Sequence, residues 1–469
     1  MANLNPIKYI KRTYKKLNSL SYHQVIYELR SNVWLICLFY GIAGSLIAAA
    51  AYVGDMHMLL GEDAPGFFQA DYELTRQIVS SLVAGIITLN AFTLNSILVV
   101  LTNFSGQFTP RMLTTFISDR RTQHLIGIFN MAFVFILLTF FLIDEEVTSY
   151  YAIIPSLTIL VMLLTVGTFV IFINHTIKWM QVPNLMQNMK NESQQQILTT
   201  LIKDLEEYRT TDPSMSISKQ LMGEGVTISA SRTGYIQIVD YKRLIHYAQS
   251  VDTVIRFEKR IGEFVLKGTP LLTYWKNGRF PIDEKKIISR VFIGSKKTEV
   301  QDIEFGINKL KEIAIKSLGN DDPDTASNAI YQLSDLLLSI SKVSRFTPYL
   351  TDPDNELRVI IKEESFEFYL YSTFSHITIY AKEDPIITND ILEAMSLLVQ
   401  TIDKQFHKTS WDFALMVAKG YQAPFSFKYN EKKFYRSLEK ISKTTGNEQA
   451  YQTFIDELKE NQQQSPPEN

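Results

Sequence analysis

Cysteine is all but missing from this sequence: Cys37 is the single one in 469 residues, which excludes a disulfide within the chain and a cysteine-built metal site. A strong charge of either sign is missing too. Lys and Arg total 47 against 49 Asp and Glu, a formal net charge of -2, and that balance argues against nucleic acid as the main partner. No glycine–lysine phosphate loop, Rossmann glycine fingerprint, His-Glu-x-x-His zinc helix or Gly-x-Ser-x-Gly elbow occurs. The recognised enzyme signatures are therefore absent, and the expectation is a protein that is not an enzyme and carries no cofactor or metal.

The most telling absence is of charge over long stretches. Asn32 to Gly54, Gln77 to Asn103, Thr122 to Ile143 and Thr148 to Thr176 contain no Asp, Glu, Lys or Arg. A bilayer core of about 30 Å needs about 20 predominantly apolar helical residues, and each stretch reaches that length. Four transmembrane helices are expected. Lys8, Lys11, Arg12, Lys15, Lys16 and Arg30 precede the first span, and Arg111, Arg120 and Arg121 join the second to the third. Acidic residues dominate the other loops: Asp55, Glu62, Asp63, Asp71 and Glu73, then Asp144, Glu145 and Glu146. Basic flanks stay on the cytoplasmic side. The expected location is thus the cytoplasmic membrane, with both termini inside. No signal peptide is read ahead of the first span, which would itself be the targeting signal.

The second span differs from a plain lipid anchor. Ser81, Gly85, Thr88, Phe92, Asn95, Val99, Thr102 and Gly106 recur at alternating steps of four and three, so they share one helix face. Polar groups in hydrocarbon are costly unless they face a partner helix or water. Ser81, Gly85, Thr88, Asn95 and Thr102 are the pore-lining candidates, and packing glue between helices is the competing reading. Phe104, Gly106, Phe108 and Pro110, near the inner end, are gate candidates: the glycine and proline permit a bend, and the rings a dewetting constriction.

The domain reading follows texture. Residues 1–31 form a basic interfacial segment, 32–176 a four-helix transmembrane domain, and 177–222 a connecting helix. Residues 223–280 are glycine-punctuated and strand-like. The run Gly262-Glu263-Phe264-Val265 to Gly268-Thr269-Pro270-Leu271 suggests a small β-barrel-like module of the barrel-sandwich kind, without a carrier lysine in the exposed turn. Tyr241 to Ser250 reads as one helical insertion. Residues 281–460 are mainly helical, with a hairpin of Ile303–Leu318 and Ala326–Ile340, strand-like runs at Arg358–Ile361 and Phe366–Tyr371, and helices over 389–404 and 432–458. Residues 461–469 are a disordered tail. The fold class expected is an α-helical membrane domain plus a cytoplasmic α+β region.

Isolated candidates have ordinary explanations. Gly319 to Thr325 could hold a cation, but its acidic residues and Pro323 suit helix capping. Asp302 and Glu304 stand at a helix start, where carboxylates complement the dipole. His124 and His175 fall at span boundaries, where an interfacial ring is comfortable and a proton sensor is the alternative.

Ser96 to Val100, Phe104-Ser105-Gly106-Gln107-Phe108-Thr109-Pro110-Arg111, Asp119-Arg120, Thr122-Gln123 and Leu125-Ile126-Gly127 together resemble the bacterial predicted-membrane-protein family known as domain of unknown function twenty-two fifty-four. Gly234-Tyr235-Ile236-Gln237 with Asp240, the Gly262 and Gly268 motifs, Gln301-Asp302 with Phe305-Gly306-Ile307, and Asp322-Pro323 with Thr325-Ala326 extend the likeness. Asn174-His175 stands where the resemblance implies paired histidines, and the turn before Asp322-Pro323 is shortened. The resemblance implies a bacterial membrane protein and assigns no activity.

Three functions are open to such a chain: an oligomeric channel lined by the second span, a non-conducting membrane-anchored signalling or interaction protein, and a membrane enzyme. The first is preferred. Four spans are few for a midplane transport site, and several copies around an axis would supply one. Its expected partners are membrane lipid, further copies of the chain, and ions.

Overall fold

The computed structural model describes residues 33–57, 69–107, 116–117, 119–145, 150–197, 205–210, 224–276, 280–297, 302–343, 346–362, 365–381, 384–421 and 425–464. The basic N-terminal segment expected over 1–31 and part of the expected tail lie outside them. The chain divides into two compact units, Met1–Val182 and Pro183–Asn469.

The first unit holds four helices long and apolar enough to cross a membrane: α1 (Val33–His57), α2 (Tyr72–Gln107), α3 (Arg120–Leu142) and α4 (Ile153–Met180). At 1.5 Å per residue α2 is about 54 Å long, well beyond a hydrocarbon core. Its N-terminus is set by Asp71, whose carboxylate accepts from the Leu74 N–H at 2.7 Å. A two-stranded clasp, β1 (Ala70–Asp71) with β2 (Tyr150–Tyr151), runs antiparallel just ahead of α2 and α4.

Small residues let α1 and α3 approach. A Cβ on Gly44 would lie 2.5 Å from the Met131 carbonyl oxygen, and Asn130 Nδ2 donates to the Cys37 carbonyl at 2.7 Å. Ala48, Ala51, Val79, Ile86, Ala132, Phe135, Ile136, Tyr151, Ile154 and Val161 form one buried cluster. A second, smaller one joins Leu125, Phe129 and Phe172, with Ile97, Phe169 and Ile173 against it.

In the second unit, α5 (Val182–Ile197) carries Lys190, whose ammonium meets Asp335 at 2.7 Å on α9 (Pro323–Val343). Strands follow: β3 (Val226–Ser229), β4 (Gly234–Val239), β5 (Thr253–Phe257), β6 (Phe264–Val265) and β7 (Pro270–Lys276). Helix α6 (Tyr241–Val251) sits between β4 and β5, where one insertion was expected.

No closed barrel forms among the described residues, which corrects the expected barrel-like module. With β8 (Val291–Gly294), β9 (Tyr349–Thr351) and β10 (Leu357–Ile360), these strands make two open sheets, β3-β7-β5-β10-β9 and β6-β4-β8. The reason lies in who takes the free edges. The open edge of β5 is occupied by β10 (Leu357–Ile360), which pairs parallel through Val359 and Ile255, and β10 is flanked by β9 (Tyr349–Thr351). β4 pairs with β8 (Val291–Gly294), which follows the short helix α7 (Glu284–Ile288). Strands from beyond residue 280 thus complete both sheets.

The hairpin is α8 (Ile303–Gly319) with α9; its apolar period buries Ile307, Leu310, Ile313, Ala314, Ala326, Ile330, Leu333, Leu337 and Ile340. Between the two helices Asp322 accepts from the Thr325 N–H at 3.1 Å, which spends that carboxylate on capping. The run at Phe366–Tyr371 is not a strand, as expected from its apolar residues, but the start of α10 (Phe366–Tyr380). Ser365 caps it, accepting from Phe368 N–H, and Phe366, Tyr369, Leu370, Thr373, Phe374 and Ile377 bury one helical face. Helices α11 (Pro385–Leu398), α12 (His407–Gly420), α13 (Lys428–Thr445) and α14 (Glu448–Gln464) complete the unit. The expected single helix over 432–458 is broken at Gly446, φ +71, a left-handed C-terminal stop that glycine adopts without strain.

Candidate functional site

Val79, Ile86, Thr93 and Val100 of α2 are buried at 0, 1, 4 and 0% exposure and recur every seventh residue, a seam for packing against α3 and α4. Ser81, Thr88, Asn95 and Thr102 each follow a seam residue by two. Two residues turn a helix by roughly 200°, so this quartet points almost directly away from the seam. All four are exposed. The chain's own helices therefore do not cover the face singled out in the sequence.

Its polar groups differ in what they still need. Thr88 Oγ1 donates back to the Ala84 carbonyl at 2.9 Å, and Thr102 Oγ1 donates likewise to Leu98. Such back-bonding satisfies a hydroxyl inside the helix. Among the described residues, Ser81 and Asn95 have no hydrogen-bond partner. Gly85 lies to one side of the quartet, partly buried, where a Cβ would stand 3.0 Å from Met162 Cε of α4. The helix runs on through Phe104 and Gly106 to Gln107. Phe108 and Pro110 lie outside the described residues, so no gate geometry is assigned.

A second polar group occurs where α3 begins and α4 ends. Asp119 is the N-cap of α3 and accepts from the Thr122 backbone N–H at 3.0 Å and from the Thr122 hydroxyl at 3.2 Å. His175 Nε2 stands 3.1 Å from the same carboxylate oxygen and 3.0 Å from Thr122 Oγ1. Burial raises the Asp119 pKa, but the His175 and Thr122 hydrogen bonds outweigh it and hold the carboxyl below its ordinary value. The His175 ring also meets the Trp179 ring edge-on at 6.2 Å, and Trp179 meets Phe116 at 5.3 Å. One residue on from the paired Thr122 and His175, Gln123 and Thr176 are buried at 0 and 5% exposure. Among the described residues, neither amide atom of Gln123 nor the Thr176 hydroxyl has a hydrogen-bond partner. His124, the other boundary histidine, is exposed and 3.0 Å from the Tyr40 hydroxyl.

The second unit contains one ionic cluster of note. Asp302, at the N-cap of α8, makes no capping hydrogen bond; among the described residues its buried Oδ2 has no hydrogen-bond partner. Lys297 Nζ is 3.9 Å from it and 3.8 Å from Glu304, and Arg260 donates to Glu304 at 2.8 Å. A Cβ on Gly262 would fall 2.3 Å from Asp302 Oδ2. The sequence motifs at Gly262 and Asp302 thus meet. Among the described residues no group of three His, Cys, Asp or Glu is placed to hold a metal ion.

Sequence reasoning passed over Asp119, Gln123 and Asn130. Asp119 had a readable signal, an acidic cap three residues ahead of Thr122 at the start of an apolar run. Gln123, like Asp119, stood in the motifs that carry the resemblance but was given no role, and Asn130 had no signal beyond being polar in an apolar stretch.

The family model described as a predicted membrane protein, DUF2254, matches residues 30–396. Uncharacterized proteins of Mycobacterium tuberculosis strains H37Rv and CDC 1551 and of Mycobacterium bovis are each 23% identical over 307 residues, 63% of this chain. The chain spans 58% of the length of these curated relatives. No solved structure matches.

Proposed function

The chain belongs to the predicted-membrane-protein family DUF2254, and from that premise we propose that it is an oligomeric ion-conducting protein of the bacterial cytoplasmic membrane, with α2 of each copy lining a shared axial pathway. One observation carries the reading. The quartet Ser81, Thr88, Asn95 and Thr102 stands opposite the packed seam and is left uncovered by the chain's own helices. An amide such as Asn95 left without a hydrogen-bond partner in hydrocarbon costs on the order of several kcal/mol. Copies arranged about an axis would turn it toward water or toward its equivalents. In this arrangement the basic flanks and the second unit are cytoplasmic and the second unit is regulatory.

One feature favours a non-conducting, membrane-anchored signalling or interaction protein instead. The Thr88 and Thr102 hydroxyls are already satisfied within the helix, and Phe92, Leu94, Leu98 and Val99 are exposed beside them. Cys37 is the sole cysteine, so a Cys37→Ser background permits single cysteines at Ser81, Asn95 and Thr102. A conducting assembly labels all three with membrane-impermeant maleimide in proteoliposomes, and Asn95→Leu lowers ion flux at least several-fold. Labelling by lipid-soluble reagents alone, with no flux, sinks the channel and leaves the anchor.

A further inference from the structure

Exposed apolar side chains gather where three helix ends of the second unit meet. Ile379 and Tyr380 close α10, Ile386 opens α11, and Phe427 and Tyr429 open α13; they are 65, 66, 51, 69 and 76% exposed. Two contacts bring these ends together. Asn389 Nδ2 donates to the Asn430 carbonyl at 3.0 Å, and the Asp384 backbone N–H donates to the Ala381 carbonyl at 2.8 Å. Single exposed apolar residues need no explanation, whereas a group gathered at one place marks an interaction surface.

A basic stripe leads away from this group along α13. Lys428, Lys432, Arg436 and Lys440 are exposed at strict four-residue steps, so they line one helix face, and Tyr429 falls within it. The opposite face is buried through Phe434, Leu438 and Ile441. The acidic groups nearby are engaged elsewhere. Asp390 and Glu393 meet Lys433, Glu439 meets Lys443 at 2.6 Å, and Asp384 caps α11, accepting from the Ile386 N–H at 2.7 Å. Glu431 is half-buried. Among the described residues, Lys428, Lys432 and Arg436 are in no ion pair.

Unpaired cations beside aromatic and aliphatic tips match the boundary of an anionic bilayer, where rings reach the apolar layer and Lys and Arg meet phosphates. A bilayer is also the surface this unit meets at high local concentration. Its first residue, Pro183, follows a helix, ending at Met180, that is long and apolar enough to cross one. We propose that the basic stripe of α13 and the apolar tips at its head dock on anionic phospholipid headgroups of the membrane that holds the first unit. The inference rests on the membrane reading above and does not require α2 to conduct.

The test uses the full chain in nanodiscs, with Cys37→Ser and Ser426→Cys, so that a fluorophore sits on the exposed residue before Phe427. Quenching by a lipid with a nitroxide headgroup reports contact with the bilayer surface. Discs of phosphatidylcholine alone are compared with discs in which about a third of the lipid is phosphatidylglycerol. We expect quenching about threefold stronger in the anionic discs at low salt, falling to the neutral level at about 1 M salt, where exposed charges are screened. The combined variant Lys428→Gln, Lys432→Gln, Arg436→Gln loses the difference between lipids. Phe427→Ser with Tyr429→Ser keeps the charges and lowers the quenching by about half. These side chains are all exposed, so their replacement leaves the fold intact. Equal quenching in the two lipids, or a difference that survives the combined variant, overturns the proposal. No quenching in either lipid does so too, and gives the patch to a protein partner or a second copy of the chain. A chain that does not enter the discs overturns the membrane reading itself, and this site with it.

Discussion

Asp55 and Ile154 are ninety-nine residues apart, yet Asp55 Oδ2 accepts the Ile154 backbone N–H at 2.8 Å. Its other oxygen accepts from Ala152 at 3.1 Å and Ile153 at 2.9 Å. The end of α1 thus caps the start of α4, whose orphan N–H groups carry the positive end of the helix dipole. Ala152, the residue in the cap position itself, has no side chain to offer. Asp55→Ala should cost about 2 kcal/mol, read as a lower unfolding temperature in detergent. Asp55→Asn should be nearly as damaging, because an amide NH2 in place of one oxygen meets an N–H donor. A variant of unchanged stability would show that water replaces the cap.

The contact shows where sequence reading stops. The four long apolar helices were legible because length and absence of charge are local properties; where Gln77–Asn103 was expected the helix runs Tyr72–Gln107, longer at both ends because Asp71 caps it and the polar Gly106-Gln107 end stays helical. Asp55 read only as loop charge, since its partner is distant in sequence. The periodicity of α2 was also legible, but which neighbour covered which face was not. The same seven-residue repeat describes the Val79 seam and the Ser81 face, and only packing tells them apart. In the second unit glycine punctuation marked strands correctly, while β10, drawn in beside β5 from a hundred residues on, decided that the sheet stayed open. That Gln123 and Thr176 are buried without a hydrogen-bond partner among the described residues was not legible for a similar reason: such burial is a tertiary property.

Gly44 marks a close backbone approach between α1 and α3, with the Met131 carbonyl oxygen 2.5 Å from where a Cβ would sit. Backbone cannot move aside as a side-chain tip can, so Gly44→Ala should separate the helices and cost about 1–3 kcal/mol. Gly167 of α4 is the control. Nothing lies within 4 Å of its added Cβ, and Gly167→Ala should be neutral or slightly stabilising. Equal behaviour of the two variants in a thermal-shift comparison would contradict this packing.

Lys433 of α13 bridges Asp390 at 3.0 Å and Glu393 at 2.8 Å, both on α11. Burial lowers its pKa, but the two carboxylate contacts outweigh that and raise it, so the ammonium stays charged at neutral pH. Asp390 is only 7% exposed and is also held by the Ser327 hydroxyl. Lys433→Met strands that carboxylate and should cost on the order of 2 kcal/mol, less than a fully buried pair because Lys433 is partly exposed. Adding Asp390→Asn should recover much of the loss. Strict additivity in this double-mutant cycle would show that the pair is not coupled.

Asp302 titrates against the fold. Its carboxyl is pushed up from 3.8 to about 6, chiefly by burial, with Glu304 adding to the rise and Lys297 and Arg260 opposing it. A raised carboxylate binds its proton more tightly folded than unfolded. The contribution of Asp302 to stability is therefore greatest below about pH 4, falls as pH rises to about 6, and then levels, at roughly 1.4 kcal/mol per unit of difference and on the order of 2–3 kcal/mol in total, opposite in sign to that of Glu258, Glu263 and Glu393, whose carboxyls are held below their ordinary values. Asp302→Asn removes the ionising group and keeps its shape beside Gly262. Because Glu258, Glu263 and Glu393 titrate in both proteins, the test is the difference: between about pH 4.5 and pH 7 the variant should gain stability relative to the parent, and it should exceed the parent protein at pH 7. Chemical denaturation of the full chain at both pH values, followed by the fluorescence of Trp275 and Trp411, makes the comparison. A variant weaker than the parent at pH 7 would mean that Lys297 compensates the charge in full.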